Sequence, residues 1–259
     1  MNKLSVLKEL LRRDLLRYKR EFWGKLIDTA SLLLTNLIVF GYLMSQYGLG
    51  GSYGPFMLIS AIASFGFFDI VSKVSDLISD IEGEKTISYT LTLPIPSWLV
   101  FFYIGIWWSI NSILITIFLF PLGKLILFNA FDLSQISFVR LVIMYISSNL
   151  FYGFFSLWLT SLLKNMGGVG YLWVRVINPI LMFGAYFYSW HAVYAVSPAF
   201  AFADLINPLV YIMEGMRAAA LGQEGFLSFW ICLPVIWMFT LFFGWQGTRR
   251  LQNRLDCVK

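Results

Sequence analysis

Few residues of this 259-residue chain could carry out catalytic or metal chemistry. His191 is the sole histidine, which excludes a zinc site built on two or more histidines. Cys232 lies in an apolar run and Cys257 in a polar tail, so a framework of disulfides is not expected. No nucleophile and base stand at a recognisable spacing. We therefore predict no catalytic residue and no metal site in this chain.

The stretch EGEKTIS at residues 82–88 contains the glycine, lysine and threonine that a phosphate-binding loop needs. Its spacing does not fit, because Glu84 separates Gly83 from Lys85 and no glycine stands upstream at the required distance. The sequence therefore predicts no bound cofactor in this chain. If its activity needs ATP, another polypeptide must supply the hydrolysis.

Glu214 and Arg217 are charged residues within an otherwise apolar stretch. They are three residues apart, so on a helix they share a face and can pair. Pairing matters at depth in a membrane, where an unpaired charge costs about 2.5–3.5 kcal/mol. We therefore predict an ion pair between these two side chains.

The segment 191–226 that holds this pair is apolar but broken by prolines. Ser197–Pro198 and Asn207–Pro208 each have the cap residue and the proline typical of a helix start, and Gly222 is typical of a helix end. A helix over 208–221 is about 21 Å long, too short to cross a membrane. We predict short re-entrant or interfacial helices here; an exposed helix pair is the alternative.

The composition indicates a membrane protein. Apolar residues make up 59% of the chain and charged residues 13%, with a mean hydropathy of +0.74. Soluble domains are closer to half apolar and a quarter charged. These values exclude a disordered chain, an ordinary soluble enzyme and a nucleic-acid-binding domain. We therefore predict an all-α polytopic protein embedded in the lipid membrane.

Six apolar runs are each long enough to cross about 30 Å of hydrocarbon. They form a single transmembrane domain over 1–259. The predicted spans are 26–47, 55–74, 98–120, 138–163, 172–190 and 227–247.

Residues 1–25 are predicted to form a helix that does not span. Leu4, Leu7, Leu11 and Leu15 recur at helical spacing, with lysines and arginines crowding the other faces. That pattern is typical of an interfacial helix whose basic heads lie among the lipid headgroups. The alternative is a helix docked on protein. The segment is too polar for a cleavable signal peptide.

The distribution of basic residues predicts the orientation. With the N-terminus inside and six spans, the cytoplasmic segments hold all of the 19 lysines and arginines except Lys124, Arg140 and Arg217. Positive residues collect on the cytoplasmic side of membrane proteins. Both termini and the connection 73–97 are therefore predicted to be cytoplasmic.

The connection 73–97 is acidic and has helical periodicity. Gly83 interrupts this helix, and a short helix from about Glu84 to Leu91 ends before Pro94. The sequence leaves open whether this element is a docking surface for a cytoplasmic partner or only a structured loop.

Charges and aromatic rings in the spans allow two interpretations. Asp28, Asp69, Arg140 and Arg175 fall near predicted span ends, which favours structural roles over a charged transport path. The 25 Phe, 13 Tyr and 10 Trp are explained by interfacial belts and lipid-facing bulk, although the runs 151–155 and 183–190 could also line a conduit for an amphipathic substrate.

Over essentially its whole length the chain resembles the permeases of type-2 ABC exporters. The similarity rests on the amphipathic N-terminus, six spans, the stretch IEGEKTISYTLTLPIPSW and the stretch NPLVYIMEGMRAAALG. Around Glu82 and Gly83 the chain follows the family pattern of Glu-Gly-Thr-Leu-Glu and a later proline. It departs from that pattern in that Glu84–Lys85 stands between the glycine and Thr86.

The resemblance implies two permease chains, usually a homodimer, above two cytoplasmic ATPase subunits that bind ATP and Mg²⁺. It implies a coupling helix at 82–91 and a contact between the N-terminal helix and the ATPase. It also implies that the helices of 198–221 cap an outward exit, in the bacterial cytoplasmic (inner) membrane. The coupling residues would be Ile81, Glu82, Gly83, Glu84, Lys85, Thr86, Ile87 and Tyr89, and the outer gate would comprise Pro198, Asn207, Pro208, Glu214 and Arg217.

The leading hypothesis is therefore the membrane permease subunit of an ATP-driven exporter, itself not an enzyme. The substrate would be an amphipathic molecule, such as a lipid-linked saccharide or a hydrophobic drug. The alternative is a non-transporting scaffold or a sensor or immunity subunit, which would have no ATPase partner. An intramembrane enzyme is disfavoured by the missing catalytic residues.

Overall fold

The computed structural model describes residues 3–43, 53–128 and 134–255, and these ranges hold helices and no strands. Two π-helical stretches occur, Leu37–Leu43 continuing α1 and Trp173–Ile177 joining α8 to α9. The α-helices are α1 (Lys3–Asn36), α2 (Tyr53–Phe68), α3 (Ile70–Glu82), α4 (Thr86–Leu91), α5 (Ser97–Thr116), α6 (Leu119–Leu127), α7 (Phe138–Leu162), α8 (Met166–Leu172), α9 (Asn178–Met182), α10 (Trp190–Val196), α11 (Pro198–Asp204), α12 (Pro208–Ala220) and α13 (Phe229–Leu255).

Five helical stretches are long and apolar enough to cross a membrane, which confirms the predicted class of an all-α polytopic membrane protein. A sixth crossing would be formed if α11 and α12, which meet at 97°, count together as one broken span. The five stretches are Ser5–Leu43, Tyr53–Glu82, Ser97–Leu127, Phe138–Leu162 and Phe229–Leu255.

The predicted boundary between the interfacial helix and the first span, at residues 25–26, is not a break in the structure. The predicted interfacial helix 1–25 and the span 26–47 belong to one continuous helix up to Leu43, and residues 1–2 and 44–47 lie outside the described part. The face that α1 buries is also different, because Val6 and Leu10 are buried whereas Leu15 is exposed. The start of α1 therefore packs through Val6 and Leu10 against Ile95 and Val100.

The predicted fifth span, 172–190, is wrong, because this segment is not among the helical stretches long and apolar enough to cross a membrane. Its helical path runs from Met166 through the π-helical stretch to Met182, starting where the Asn165 side chain caps the helix by accepting from Gly168 N. The path ends before Ala185, which adopts a left-handed conformation (φ 57°) that stops a helix. Hydropathy did not indicate this break, since residues 183–190 are as apolar as the helix they follow.

The core lies around α7, which packs against α5 on one side and α13 on the other. Glycines permit the close approach: a Cβ at Gly153 would collide with Gly105 O and Ser109 Oγ on α5. A Cβ at Gly247 of α13 would lie 2.9 Å from the backbone of Trp158. Small residues at such crossings let membrane helices pack backbone to backbone.

Candidate functional site

Two candidate sites lie at opposite ends of the long α2–α3 rod. The first, here called the coupling segment, comprises residues 81–91 and follows the end of α3. The second, the outer segment, comprises residues 183–228 and contacts the start of α2 through Tyr53, whose hydroxyl donates to Phe187 O at 3.0 Å. The two segments therefore lie at opposite ends of Tyr53–Glu82, a helical stretch long and apolar enough to cross a membrane.

The coupling segment is fixed by one aspartate. The carboxylate of Asp80 accepts hydrogen bonds from Thr86 N at 3.0 Å and from Ile87 N at 2.7 Å. These contacts satisfy free amides at the start of α4. Lys85 precedes α4 in a left-handed conformation (φ 55°). The short helix therefore begins at Thr86 and not at Glu84 or Glu82 as predicted, because Lys85 turns the chain and Asp80 caps it there.

The predicted coupling residues divide into an exposed group and an anchor. Ile87 is 4% exposed and packs with Leu77 and Phe101 in a small cluster, so it cannot touch a docked partner. Ile81 is half-buried. Those on the surface are Glu82, Gly83, Glu84, Lys85, Thr86 and Tyr89, the tyrosine with 71% exposure.

A cleft of about 240 Å³ separates the coupling segment from the beginning of α1. Tyr89 and Leu93 line one side, and Val6 and Leu10 form part of the other. The start of α1 is held beside it because Val6 and Leu10 pack with Ile95. A partner docked on this surface would contact α1 and the coupling segment together.

Arg217 is the centre of the outer segment. Its side chain is fully buried, and it donates to three backbone carbonyls, those of Ala185 (2.7 Å), Tyr186 (2.8 Å) and Tyr188 (2.9 Å). It also donates to Ser60 Oγ at 2.6 Å on α2. Its guanidinium carbon lies 3.7 Å from the Phe56 ring centre, close enough for a cation–π contact.

Glu214 pairs with Arg217 at 3.3 Å, which confirms the predicted ion pair, and both side chains are fully buried. Glu214 also accepts from Trp190 N (3.1 Å) and Leu227 N (2.9 Å), so it ties the start of α10 and the loop after α12 to the same centre. A buried ion pair is tolerable only when its remaining hydrogen-bonding positions are filled. This pair meets that condition.

The other predicted gate residues hold α12 in place. Asn207 caps α12 by accepting from Leu209 N at 3.0 Å, and its amide donates to Ile180 O at 2.7 Å. Pro208, at the first position of α12, is buried, whereas Pro198 at the start of α11 is exposed. Pro198 therefore begins α11 and is not among the residues that hold α12 in place.

Tyr188 links this centre to α11. Burial raises the pKa of Tyr188 to about 12, and the nearby carboxylate of Asp204 adds to that rise. The phenol therefore stays protonated and donates to Asp204 at 3.1 Å. This contact holds the end of α11 against the 183–190 stretch.

Two charged residues, Asp69 and Lys73, lie elsewhere in the structure than the sequence predicts. Asp69 lies inside the Tyr53–Glu82 stretch, at the junction of α2 and α3, and not near a span end. Lys73, assigned to the cytoplasmic connection, is 4% exposed and pairs with it at 3.2 Å. Asp28 is exposed. Arg140 and Arg175 each lie over an aromatic ring, and the guanidinium of Arg175 is 4.4 Å from the ring centre of Tyr171.

Within the ranges that the structure describes, no three His, Cys, Asp or Glu side chains could hold a metal ion.

Sequence reasoning missed the residues that position these sites. Asp80 had a usable signal, since an aspartate six residues before the short helix can cap it across a turn. Ser60 and Phe56 had none, because their role depends on contact with Arg217 about 157 residues away in the chain.

The five helical stretches that are long and apolar enough to cross a membrane define a multi-pass membrane protein. One end of this protein carries the ordered coupling segment, and the other end carries the buried Glu214–Arg217 pair. The family model of ABC-2 type transporters matches residues 5–221, and the chain belongs to that family. No curated protein and no solved structure matches the chain. The chain is therefore a membrane permease of an ABC transporter, a transport subunit whose family associates with an ATPase subunit.

Proposed function

We propose that this permease is the membrane subunit of an exporter, in which two copies form the substrate path and two separate ATPase subunits supply the energy. The observation that carries the proposal is the coupling segment. It is exposed yet held by the Asp80 cap and the Ile87 anchor. A lone connecting loop would need neither, whereas a surface that transmits force must be rigid.

The ATPase would dock on the exposed residues from Glu82 to Thr86, on Tyr89 and on the adjoining cleft beside α1. Closure of two ATP-bound ATPase subunits would then press on α3 and α1 together. ATP would act by binding one conformation of the complex more tightly than the other and so shifting their populations. The ATP and Mg²⁺ would belong to the ATPase alone.

The orientation would place both termini and the coupling segment in the cytoplasm of a bacterial cell, and the outer segment outside. The excess of lysine and arginine on the coupling side supports this orientation. The outer segment would then cap the exit. Helices α11 and α12 would form the gate, and the Glu214–Arg217 pair would hold α12 against its neighbours.

An amphipathic substrate, such as a lipid-linked saccharide or a hydrophobic drug, fits the aromatic richness of the chain. The exposed rings on the outer helices, including Phe200 and Phe202, support this class because they would contact acyl chains at the exit.

The test is to purify the tagged permease from its native membrane and to measure how much ABC ATPase accompanies it. Tyr89→Ala removes an exposed contact, and Gly83→Pro removes the amide that bonds Ser79 O at 2.8 Å. Both variants should reduce the recovered ATPase several-fold, while the matched control Tyr194→Ala, which alters an exposed tyrosine of the outer segment, should not. Full recovery with both variants would refute the coupling role, and no ATPase with the unaltered chain would favour the scaffold or sensor alternative.

A further inference from the structure

The first helix, α1, exposes a polar face beside an apolar one. The residues of the polar face are all exposed and recur at steps of four and three, which keeps them on one side of a helix. They are Gly24, Asp28, Ser31 and Thr35. The apolar face consists of large exposed side chains, those of Trp23, Ile27, Leu34 and Ile38. The two faces of this one helix therefore suit different surroundings.

The polar face extends into the apolar half of α1. Residues 26–43 hold one charged residue, Asp28, and belong to a stretch long and apolar enough to cross a membrane. Just before them Lys25 pairs with Glu21 at 3.2 Å, and both side chains are at least 40% exposed. We therefore place the edge of the hydrocarbon core near Lys25. Thr35 lies about 15 Å beyond that edge, which is the middle of a core about 30 Å thick.

The described part of the chain leaves the polar face uncovered. A Cβ added to Gly24 would meet nothing within 4 Å, and Asp28 forms no ion pair or hydrogen bond with any described residue. The Thr35 hydroxyl donates within its own helix, to Ser31 O at 3.0 Å. Charged residues of membrane helices face the bundle interior or a water-filled cavity, because lipid does not solvate them. Water therefore suits the polar face, and lipid suits the apolar face.

Helix α3 carries a second polar face next to the first. Ser72, Asp76 and Ser79 are exposed on α3 at steps of four and three residues. Asp76 lies within electrostatic range of Lys25 and Glu21 on α1, so the two polar faces adjoin at the edge of the core. Because α3 leads into the coupling segment, this polar opening lies on the side of that segment.

We propose that the polar face of α1 is part of the wall of the substrate path and that Asp28 selects solutes by charge there. A solute that moves inward from Lys25 passes the Asp28 carboxylate before it reaches the uncharged remainder of the face. The two neighbouring cations are already neutralised. Lys25 pairs with Glu21, and Lys73 on α3 pairs with Asp69, each at 3.2 Å.

The field of Asp28 is thus not compensated, so the path admits cationic and uncharged groups more readily than anionic ones. This inference rests on the proposed transport function and names a residue that determines its specificity.

The first experiment measures which positions of α1 water reaches, with the permease alone in lipid nanodiscs. Ser31→Cys and Thr35→Cys report on the polar face, and Ile27→Cys and Leu34→Cys are matched controls on the apolar face. All carry Cys257→Ser, and the remaining Cys232 is fully buried. The probes are two methanethiosulfonates of similar size that do not cross lipid, one with a trimethylammonium group and one with a sulfonate. Both should modify the polar-face cysteines several-fold faster than the apolar-face cysteines.

The second experiment isolates the charge of Asp28. Residues three apart on a helix have Cβ atoms about 5–6 Å apart, so the carboxylate attracts one reagent to Ser31→Cys and repels the other. Adding Asp28→Asn to that variant should lower the ratio of the cationic to the anionic modification rate about threefold to tenfold. Glu224→Gln, which alters an exposed carboxylate of the outer segment, should leave the ratio unchanged.

Three results would overturn the proposal. Equal modification of both faces, or modification of neither, would show that the polar face does not line a water-filled path. Oxidation that links two copies through unreactive polar-face cysteines would show that a second copy covers the face. A rate ratio that does not change with Asp28→Asn would show that Asp28 does not select by charge. None of these measurements involves an ATPase, so the recovery of the ATPase tests the proposed function separately.

Discussion

Replacement of Arg217 by methionine is the most informative perturbation of the outer segment. The guanidinium holds three carbonyls of the 185–188 turn, Ser60 on α2 and Glu214 on its own helix. Methionine fills much of the same volume but can donate to none of them. The substitution leaves the Glu214 carboxylate buried without its counter-charge.

The expected loss follows from this geometry. Removing one partner of a buried ion pair costs about 3–5 kcal/mol. For a protein of this size, each kcal/mol lowers the unfolding temperature by about 2–4 °C, so Arg217→Met should lower it by about 6–20 °C. Removing both charges should cost less than removing one, because no unpaired charge then remains.

The assay is thermal unfolding of the purified permease in lipid nanodiscs, followed by the fluorescence of its tryptophans. The variants are Arg217→Met and the double variant Glu214→Gln with Arg217→Met. Arg250→Met, an exposed arginine at the other end of the molecule, is the matched control and should unfold like the unaltered chain. The double variant should unfold at a higher temperature than Arg217→Met alone.

The reasoning is refuted if Arg217→Met unfolds within about 2 °C of the unaltered chain, since that is at most 1 kcal/mol. It is also refuted if the double variant is less stable than the single one. Either result would mean that the pair does not organise the outer segment.

Further predictions concern the other fixed points of the fold. Asp80→Ala removes the cap of α4 and should lower the local stability of that helix by about 0.5–2 kcal/mol. The loss should appear as faster amide exchange at residues 86–87 with little change in global unfolding. Unchanged exchange would contradict the capping role. Gly153→Ala should lower the unfolding temperature because its methyl group would collide with α5, whereas Gly170→Ala, with open space around it, should not; equal behaviour would contradict the packing. Asn207→Ala loses both the α12 cap and the bond to Ile180 O and should cost about 1–3 kcal/mol, measured by the same unfolding assay; no loss would show that neither contact matters.

The sequence predicted those features that depend on local pattern. Hydropathy located the long helices, the spacing of Glu214 and Arg217 predicted their pairing, and Asn207–Pro208 predicted the start of α12. These inferences succeed because helix caps and neighbours on one helix face depend on residues within a turn or two.

The features that it missed depend on contacts between distant segments. The end of the fifth helical path is set by carbonyls that Arg217 binds, and those carbonyls belong to a stretch as apolar as the helix before it. The buried face of α1 is chosen by Ile95 and Val100, which no periodicity within α1 reveals. The charge of Lys73 predicts a place in a loop, whereas its hydrogen bond to the buried Ser112 depends on the packing of α3 against α5, which the sequence does not reveal.

The most direct measurement of the central claim is native mass spectrometry of the complex released from its own membrane. We expect an assembly of two 29.8 kDa permease chains with two copies of an ABC ATPase, and a several-fold smaller share of ATPase-bound permease when Tyr89 is replaced by alanine. A permease that leaves the membrane with no ATPase, or one that keeps its ATPase when the coupling segment is altered, would contradict the account.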